Sequence, residues 1–145
     1  MKIRFLAVVV ALVTTGTFAN ACKVYGLEHE VSFQEGSATI PAPEIRLLVD
    51  WYLKKRDGWE GVLEAYVSAY SRPDDPISTK LTEQRTQAVA DLVRSISEGR
   101  SIPMRVTVEA VATPRSEAYT SVVVGTQPMC LKTRSCCTWE VQQHQ

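Results

Sequence analysis

Residues 81–93 constrain the fold most, because the spacing of their apolar side chains predicts an amphipathic α-helix. Thr82 is predicted to be its N-cap, since a threonine hydroxyl can accept a hydrogen bond from a free amide of the first turn. Gly99 is predicted to end the helix, because glycine adopts the left-handed conformation without steric cost. One face is therefore expected to be buried, and its apolar stripe consists of Val89, Leu92, Val93 and Ile96.

Arg85 does not fit a purely structural helix. It lies four residues before Val89, which places it on the buried row of the helix instead of the solvent face. It is also predicted to lie in the first turn, where a guanidinium beside unpaired backbone amides would form an anion site. The alternative is that the side chain reaches water or pairs with a nearby acid.

The N-terminal segment is predicted to be a secretory signal peptide that covers residues 1–21. Lys2 and Arg4 form its charged start, residues 5–13 form a short apolar run, and Ala19-Asn20-Ala21 forms a cleavage site. The apolar run is shorter than the roughly 20 residues that a membrane-spanning helix needs. We therefore expect an exported protein in the periplasm, with a mature chain that begins at Cys22.

Cys22 directly after the cleavage site also fits lipoprotein processing, in which this cysteine carries a lipid. Phe18, Ala19 and Ala21 suit that processing, whereas Asn20 does not. Anchoring to the outer membrane, and any membrane contact, is expected only if Cys22 is lipidated.

The four cysteines all lie in the exported part of the chain, where an oxidising compartment favours disulfides. Cys136 and Cys137 are adjacent, and a bridge between neighbours would be strained. Four cysteines allow three pairings, and the sequence does not choose among them. The candidate disulfide residues are Cys22, Cys130, Cys136 and Cys137.

The charge of the chain excludes some classes of partner. The sequence has 16 Lys and Arg and 16 Asp and Glu, and the predicted signal peptide removes two basic residues and no acids. The mature chain is therefore slightly acidic and has no polybasic surface. Nucleic acid and anionic membrane are not expected as electrostatic partners.

Periodicity predicts strands that alternate with two helices. This order predicts an α/β fold, a two-layer α/β sandwich in β-α-β-α-β-β order, with a mixed sheet of about four strands and two helices on one face. The expected segments are a lead-in at 22–30, in which His29 is a solvated loop residue, a domain at 31–125 and a cysteine-rich tail at 126–145. The predicted elements are a strand at 31–35, a helix at 44–56, a strand at 59–70, a loop at 71–80, the helix described above, and strands at 104–110 and 119–124.

Two parts of this pattern resemble the OmpA-like peptidoglycan-binding family. Residues 31–33, 36–38 and 40–41, which read Val-Ser-Phe, Gly-Ser-Ala and Ile-Pro, are similar to the opening strand of that family. Residues 81–89, Leu-Thr-Glu-Gln-Arg-Thr-Gln-Ala-Val, resemble its helix signature of leucine-serine-x-x-arginine-alanine-x-x-valine. The resemblance implies a non-catalytic domain that binds the diaminopimelate stem of peptidoglycan, with Arg85 holding a carboxylate.

The sequence departs from the family at the acid that takes the ammonium group of the ligand. Residues 69–72, where that aspartate is expected, contain no acid, and Ser78 replaces the asparagine of the following loop. Asp74 or Asp75 could substitute, and a site without an anionic partner would bind an ammonium group less tightly. The candidate ligand-binding residues are Arg85, Thr82, Asp74 and Asp75.

The sequence shows no arrangement typical of an enzyme. It has no nucleophile elbow, no nucleophile with a paired histidine and no histidines at metal-ligand spacing, so no catalytic residue, cofactor or metal is predicted. Cys130, Cys136, Cys137 and His144 could chelate a metal, but the compartment favours disulfides. The expected partner is peptidoglycan, or an envelope protein if the domain keeps its fold without binding the wall.

Overall fold

The structure is a computed structural model that describes residues 27–58, 60–97, 101–112, 116–133 and 135. Described residues form four strands and three helices around one sheet, and a single 3₁₀ turn at Ser116–Tyr119 precedes the last strand. The predicted order of elements is confirmed. In chain order the elements are β1 (Glu28–Ser32), α1 (Ala42–Gly58), β2 (Val62–Ser71), α2 (Pro76–Ile96), β3 (Met104–Ala110), β4 (Ser121–Pro128) and α3 (Met129–Thr133).

The sheet is mixed, as predicted. Its strand order is β1-β4-β2-β3. Strand β4 lies between β1 and β2 and is antiparallel to both, whereas β3 is parallel to β2. Helix α2 connects β2 to β3, because parallel neighbours need a crossover connection.

The core lies between the sheet and the two long helices. Helix α1 contacts β1 and β4, and α2 contacts β2, β3 and β4, so both helices cover the same face. In β2 the inward residues are Ala65, Val67 and Ala69, which confirms the predicted alternation. The residues of the core that are fully buried are Val31, Leu48, Tyr52, Val67, Val89, Ala90, Val93, Val122 and Val124.

On the face of the sheet opposite α1 and α2, one contact explains why residue 125 is a glycine. Gly125 of β4 pairs with Tyr66 of β2 and with Glu28 of β1. The Tyr66 ring covers Gly125 so closely that an added Cβ would lie 1.9 Å from its Cζ. Tyr66 then donates its hydroxyl hydrogen to the Glu28 carboxylate. Burial and this contact raise the pKa of Tyr66 to about 12.

The ends of several elements differ from the predicted ones. Strand β1 covers Glu28–Ser32, so it begins in the predicted lead-in and ends before residue 35. Strand β4 starts after the 3₁₀ turn and continues through Gly125 to Pro128. The predicted end of this strand at residue 124 is wrong, because the Tyr66 ring fills the space of the missing Gly125 side chain and the pairing continues to Pro128.

His29 is a strand residue and not the solvated loop histidine that was predicted. It lies in β1, half-buried, and its ring stacks on that of Trp51 in α1 at a centroid distance of 5.4 Å. Burial lowers the pKa of the His29 imidazole, and the charge of Glu44 opposes that shift. The side chain therefore packs between strand and helix.

None of the described helices is long and apolar enough to span a bilayer.

Candidate functional site

Helix α2 begins earlier than predicted. Its N-cap is Asp75, whose carboxylate accepts hydrogen bonds from the backbone amides of Ile77 and Ser78, each at 3.0 Å. Pro76 occupies the first helical position, where its fixed φ suits the helix and its missing N–H costs nothing. The predictions of Thr82 as the N-cap and of a loop to residue 80 are therefore wrong.

The earlier start changes the surroundings of Arg85. Arg85 lies about 2.5 turns inside the helix, where the backbone amides are already bonded to carbonyls of the preceding turn. Thr82 is buried and donates its hydroxyl hydrogen to the Ser78 carbonyl at 2.8 Å. The expected anion site of free amides beside Arg85 is therefore not formed by this part of the helix.

Arg85 is buried, with 3% of its surface exposed, and all three of its guanidinium nitrogens donate to backbone carbonyls. Nε donates to Ser37 at 2.7 Å, Nη2 to Gln34 at 2.8 Å and Nη1 to Tyr119 at 3.2 Å. The guanidinium carbon also lies 5.2 Å from the centre of the Phe33 ring. Neither predicted alternative, water or a neighbouring acid, describes this arrangement.

Backbone carbonyls are suitable partners for a buried guanidinium, because their dipoles replace the water that the cation loses. Burial lowers the pKa of Arg85, but an arginine stays charged at any physiological pH. The carbonyls of Gln34 and Ser37 belong to the turn between β1 and α1, in which Gly36 has a φ of +68° and Ser37 donates back to Gln34. Arg85 therefore fastens this turn to helix α2 and to the segment before β4.

The loop between β2 and α2 presents an exposed cation and an exposed acid, whereas the Arg85 guanidinium is buried. Arg72 and Asp74 are both exposed, and neither has an ion-pair partner among the described residues. The Arg72 guanidinium lies 5.0 Å from the centre of the Tyr119 ring. Tyr119 therefore contacts both arginines, through its ring to Arg72 and through its backbone carbonyl to Arg85. Sequence reasoning missed Arg72, although its position beside two aspartates in a proline-containing loop was a signal for it.

Tyr70 and Ser71 lie within residues 69–72, the stretch in which the resemblance leads one to expect the family's aspartate. Tyr70 is 41% exposed and Ser71 is 1% exposed. The Ser71 carbonyl accepts a hydrogen bond from Val111, so it belongs to the sheet. Of the two acids suggested as substitutes, Asp75 caps α2 and Asp74 is left exposed. The structure thus leaves Asp74 exposed on the same loop as Arg72 and makes Asp75 the cap of α2.

The cysteine predictions fall mostly outside the described part of the chain. Cys130 is buried in α3. Cys22, Cys136 and Cys137 lie outside the described residues, as do the signal peptide, Gly99 and His144, so the pairing and the lipid remain predictions. In the part of the chain that the structure describes, no group of three or more His, Cys, Asp or Glu is arranged to hold a metal ion.

Comparison by sequence finds no match, either to models of protein families or to curated proteins. Comparison by structure does find similar solved domains. The C-terminal domain of MotB from Helicobacter pylori has a TM-score of 0.51 at 8% identity, and the match covers 81% of this chain and 98% of that one.

Two further solved structures have lower TM-scores, although their sequence identity to this chain is higher. The OmpA-like domain of FopA1 from Francisella tularensis has a TM-score of 0.44 at 17% identity, with 73% of this chain and 78% of that one covered. The cell wall anchor of the T6SS from Pseudomonas aeruginosa has a TM-score of 0.46 at 16% identity, with 68% and 80% covered. At these identities the likeness shows architecture and no ligand. The predicted α/β fold is confirmed, and the solved structures similar to it include an OmpA-like domain, as the predicted recognition expects.

Proposed function

We propose that this chain is an exported, non-enzymatic protein of the cell envelope that binds the diaminopimelate stem of peptidoglycan non-covalently. The fold and the helix motif around Arg85 support the class of ligand. The observation that carries the proposal is the exposed loop that holds Arg72, which stacks on Tyr119, and Asp74, neither of which has an ion-pair partner among the described residues. Diaminopimelate has carboxylate and ammonium groups, so it requires charges of both signs.

In this proposal Arg72 takes the place that the resemblance gives to Arg85. To turn its fork to a ligand carboxylate, the buried Arg85 guanidinium would have to give up bonds to three backbone carbonyls. Each abandoned carbonyl would cost about 1–3 kcal/mol. Arg72 needs no such exchange, because its guanidinium is exposed and only stacks on Tyr119. A planar fork of this kind binds carboxylates in a bidentate manner.

Asp74 is the group that we assign to the ammonium of the ligand. Asp75 is less suitable, because one of its oxygens already accepts two amides of α2. An exposed acid on a loop is less organised than an acid at the end of a strand, so the affinity is expected to be modest. Arg85 and Thr82 contribute indirectly, by fixing the turn after β1 and the first half of α2.

Co-sedimentation with purified diaminopimelate-type peptidoglycan tests the proposal. We expect the protein to be retained, and Arg72→Ala and Asp74→Ala each to reduce retention about tenfold or more, as loss of a charged hydrogen bond would. Arg46→Ala and Asp50→Ala are matched controls, since they remove an exposed cation and an exposed acid from α1. Equal retention of all four variants would contradict the assignment of the loop.

A second function is favoured by the burial of Arg85. If the family's ligand-binding arginine has become part of the core, the domain is an envelope adapter that keeps the fold and binds a protein partner. Absence of retention of the unaltered protein on peptidoglycan would favour this function. Capture of an envelope protein that is lost when Cys130 to Cys137 are altered would then identify the tail as the binding segment.

Export, cleavage and lipidation are tested together by the intact mass of the protein isolated from cells. We expect a chain that begins at Cys22, and a mass increase on reduction that reports the number of disulfides. A further increase of the size of attached acyl chains would place the protein on the outer membrane. A mass that includes residues 1–21 would contradict the predicted signal peptide.

A further inference from the structure

Strand β3 forms one edge of the sheet. It pairs with β2 on one side, and no described strand pairs with its other side. An edge of this kind presents a row of unpaired backbone N–H and C=O groups, which can pair with another chain. Proteins usually protect such edges with proline, bulges or a charge in the middle of the strand.

Strand β3 has no proline and no bulge in its pairing with β2, and its two charged side chains, Arg105 and Glu109, are of opposite sign. The strand reads Met-Arg-Val-Thr-Val-Glu-Ala, with β-branched residues at its centre and no proline or glycine. The opposite edge of the sheet differs, because β1 is shorter and has Glu28 and Glu30 on one face. Two copies of β1 would bring like charges together, which is unfavourable in cross-strand pairs. Of the two edges of the described sheet, the edge of β3 is therefore the one suited to pairing with another copy.

The hydrogen bonds to β2 show which backbone groups of β3 face outwards. The Pro103 carbonyl accepts from Ala65, and the Val111 amide donates to Ser71, so the odd-numbered residues of β3 direct their backbone groups towards β2. Alternate residues of a strand direct these groups to opposite sides. The free groups therefore belong to Met104, Val106, Val108 and Ala110.

Only one two-fold register uses these groups and also pairs opposite charges. Consider two antiparallel β3 strands whose two-fold axis passes between the Thr107 residues of the two copies. Val106 of one copy then lies opposite Val108 of the other. Both of these residues have outward backbone groups, so they form a hydrogen-bonded pair. Arg105 then lies opposite Glu109, at a position where the side chains of an antiparallel pair are closest.

Arg105 and Glu109 suit this arrangement in the single chain. Both are exposed, both lie on the open face of the sheet, and neither has an ion-pair partner among the described residues. They lie at opposite ends of the strand, too far apart to pair with each other. Val106 is 37% exposed on the other face and would gain an apolar neighbour.

We propose that the outer edge of β3 is an interaction surface for a second copy of this chain, paired antiparallel about Thr107 in a two-fold dimer. The interface is isologous, so the Arg105–Glu109 pair occurs twice. The sheets of both copies then form one continuous sheet. The proposed pairing uses neither Arg72 nor Asp74, so this dimer neither requires wall binding nor is required by it.

Charge reversal tests the proposal by sedimentation equilibrium of the protein in the processed form that cells produce. We expect the unaltered protein to dimerise, and Arg105→Glu or Glu109→Arg alone to weaken dimerisation about tenfold, because each single change creates two like-charge pairs. Mixing the two single variants restores both pairs, so the mixture is expected to form heterodimers. Arg46→Glu, on the exposed surface of α1, is the matched control.

Three results would overturn the proposal. The first is an unaltered protein that stays monomeric at every concentration. The second is a dimer that Arg105→Glu does not weaken, which would place the contact elsewhere on the molecule. The third is a mixture of Arg105→Glu and Glu109→Arg that associates no better than either variant alone, since only the register centred on Thr107 predicts that rescue.

Discussion

Two arginines meet at Tyr119 and differ in nearly every other respect. Arg85 is buried in the helix layer and donates to the carbonyls of Tyr119, Gln34 and Ser37. Arg72 is exposed on the loop before α2, and its guanidinium lies over the face of the Tyr119 ring without an ion-pair partner among the described residues. The first is fixed by the protein, and the second is available to a ligand.

Under the proposed function, the motif position and the binding role belong to different arginines. The helix motif places an arginine at residue 85, but the turn after β1 accepts two of its hydrogen bonds and the Tyr119 carbonyl accepts a third. A guanidinium has five N–H donors and accepts nothing, so its capacity for a ligand falls as the fold uses those donors. The neighbouring loop then presents the remaining free charges.

The largest effect is expected for Arg85→Ala. This change leaves the carbonyls of Gln34, Ser37 and Tyr119 without the guanidinium, and we expect the free energy of unfolding to fall by about 3–5 kcal/mol. That is a large part of the roughly 5–15 kcal/mol that stabilises a domain. Urea denaturation measures it, with Arg46→Ala as the control. A loss below about 1 kcal/mol would show that the three bonds are not structural.

Arg85→Lys tests whether the charge or the directed hydrogen bonds of Arg85 stabilise the turn, because lysine keeps the positive charge and lacks the planar guanidinium. A single ammonium cannot reach three carbonyls in the geometry of a guanidinium, so we expect about half of the loss of Arg85→Ala. The midpoint of the denaturation curve reports the change. Full stability with lysine would mean that charge alone, without directed bonds, holds the turn.

Asp75→Ala tests the other structural charge near the site. The change removes the bonds to the amides of Ile77 and Ser78, and loss of an N-cap typically costs about 1 kcal/mol. Asp74→Ala is its natural control, since Asp74 is exposed. If both changes had the same effect on the unfolding midpoint, Asp75 would not act as a cap.

The smallest effect on stability is expected for Arg72→Ala. An exposed cation–π contact contributes about 0.5–1 kcal/mol at most, so the unfolding midpoint should move little. Retention on peptidoglycan should nevertheless fall. A variant that loses stability as strongly as Arg85→Ala would remove the contrast between the two arginines.

The layers and the order of the fold were predictable because they follow from local patterns. The alternation of Ala65, Val67 and Ala69 predicts a strand with one buried face, and the stripe of α2 predicts a helix packed on it. The start of α2 was missed because Asp75 followed by Pro76 fits a turn as well as it fits an N-cap with proline at the first helical position. Local chemistry alone does not separate these two cases.

The partners of Arg85 were not predictable from the sequence. They are backbone carbonyls of residues far from position 85 along the chain, and every residue type has the same carbonyl. The helix pattern correctly placed Arg85 on the buried side, but it carried no information about the turn that covers it. The sequence also did not distinguish Asp75, which caps α2, from Asp74, which is exposed on the same loop as Arg72.

The most direct test of the account follows the Nε–H resonances of both arginines by NMR while meso-diaminopimelate is added, with Arg72→Lys and Arg85→Lys to assign them. We predict that the Arg72 resonance shifts with the ligand. The Arg85 resonance should stay in place and exchange slowly, because its proton is bonded to Ser37. A ligand-dependent shift of Arg85 with an unmoved Arg72 would contradict the account and return the binding role to the buried arginine.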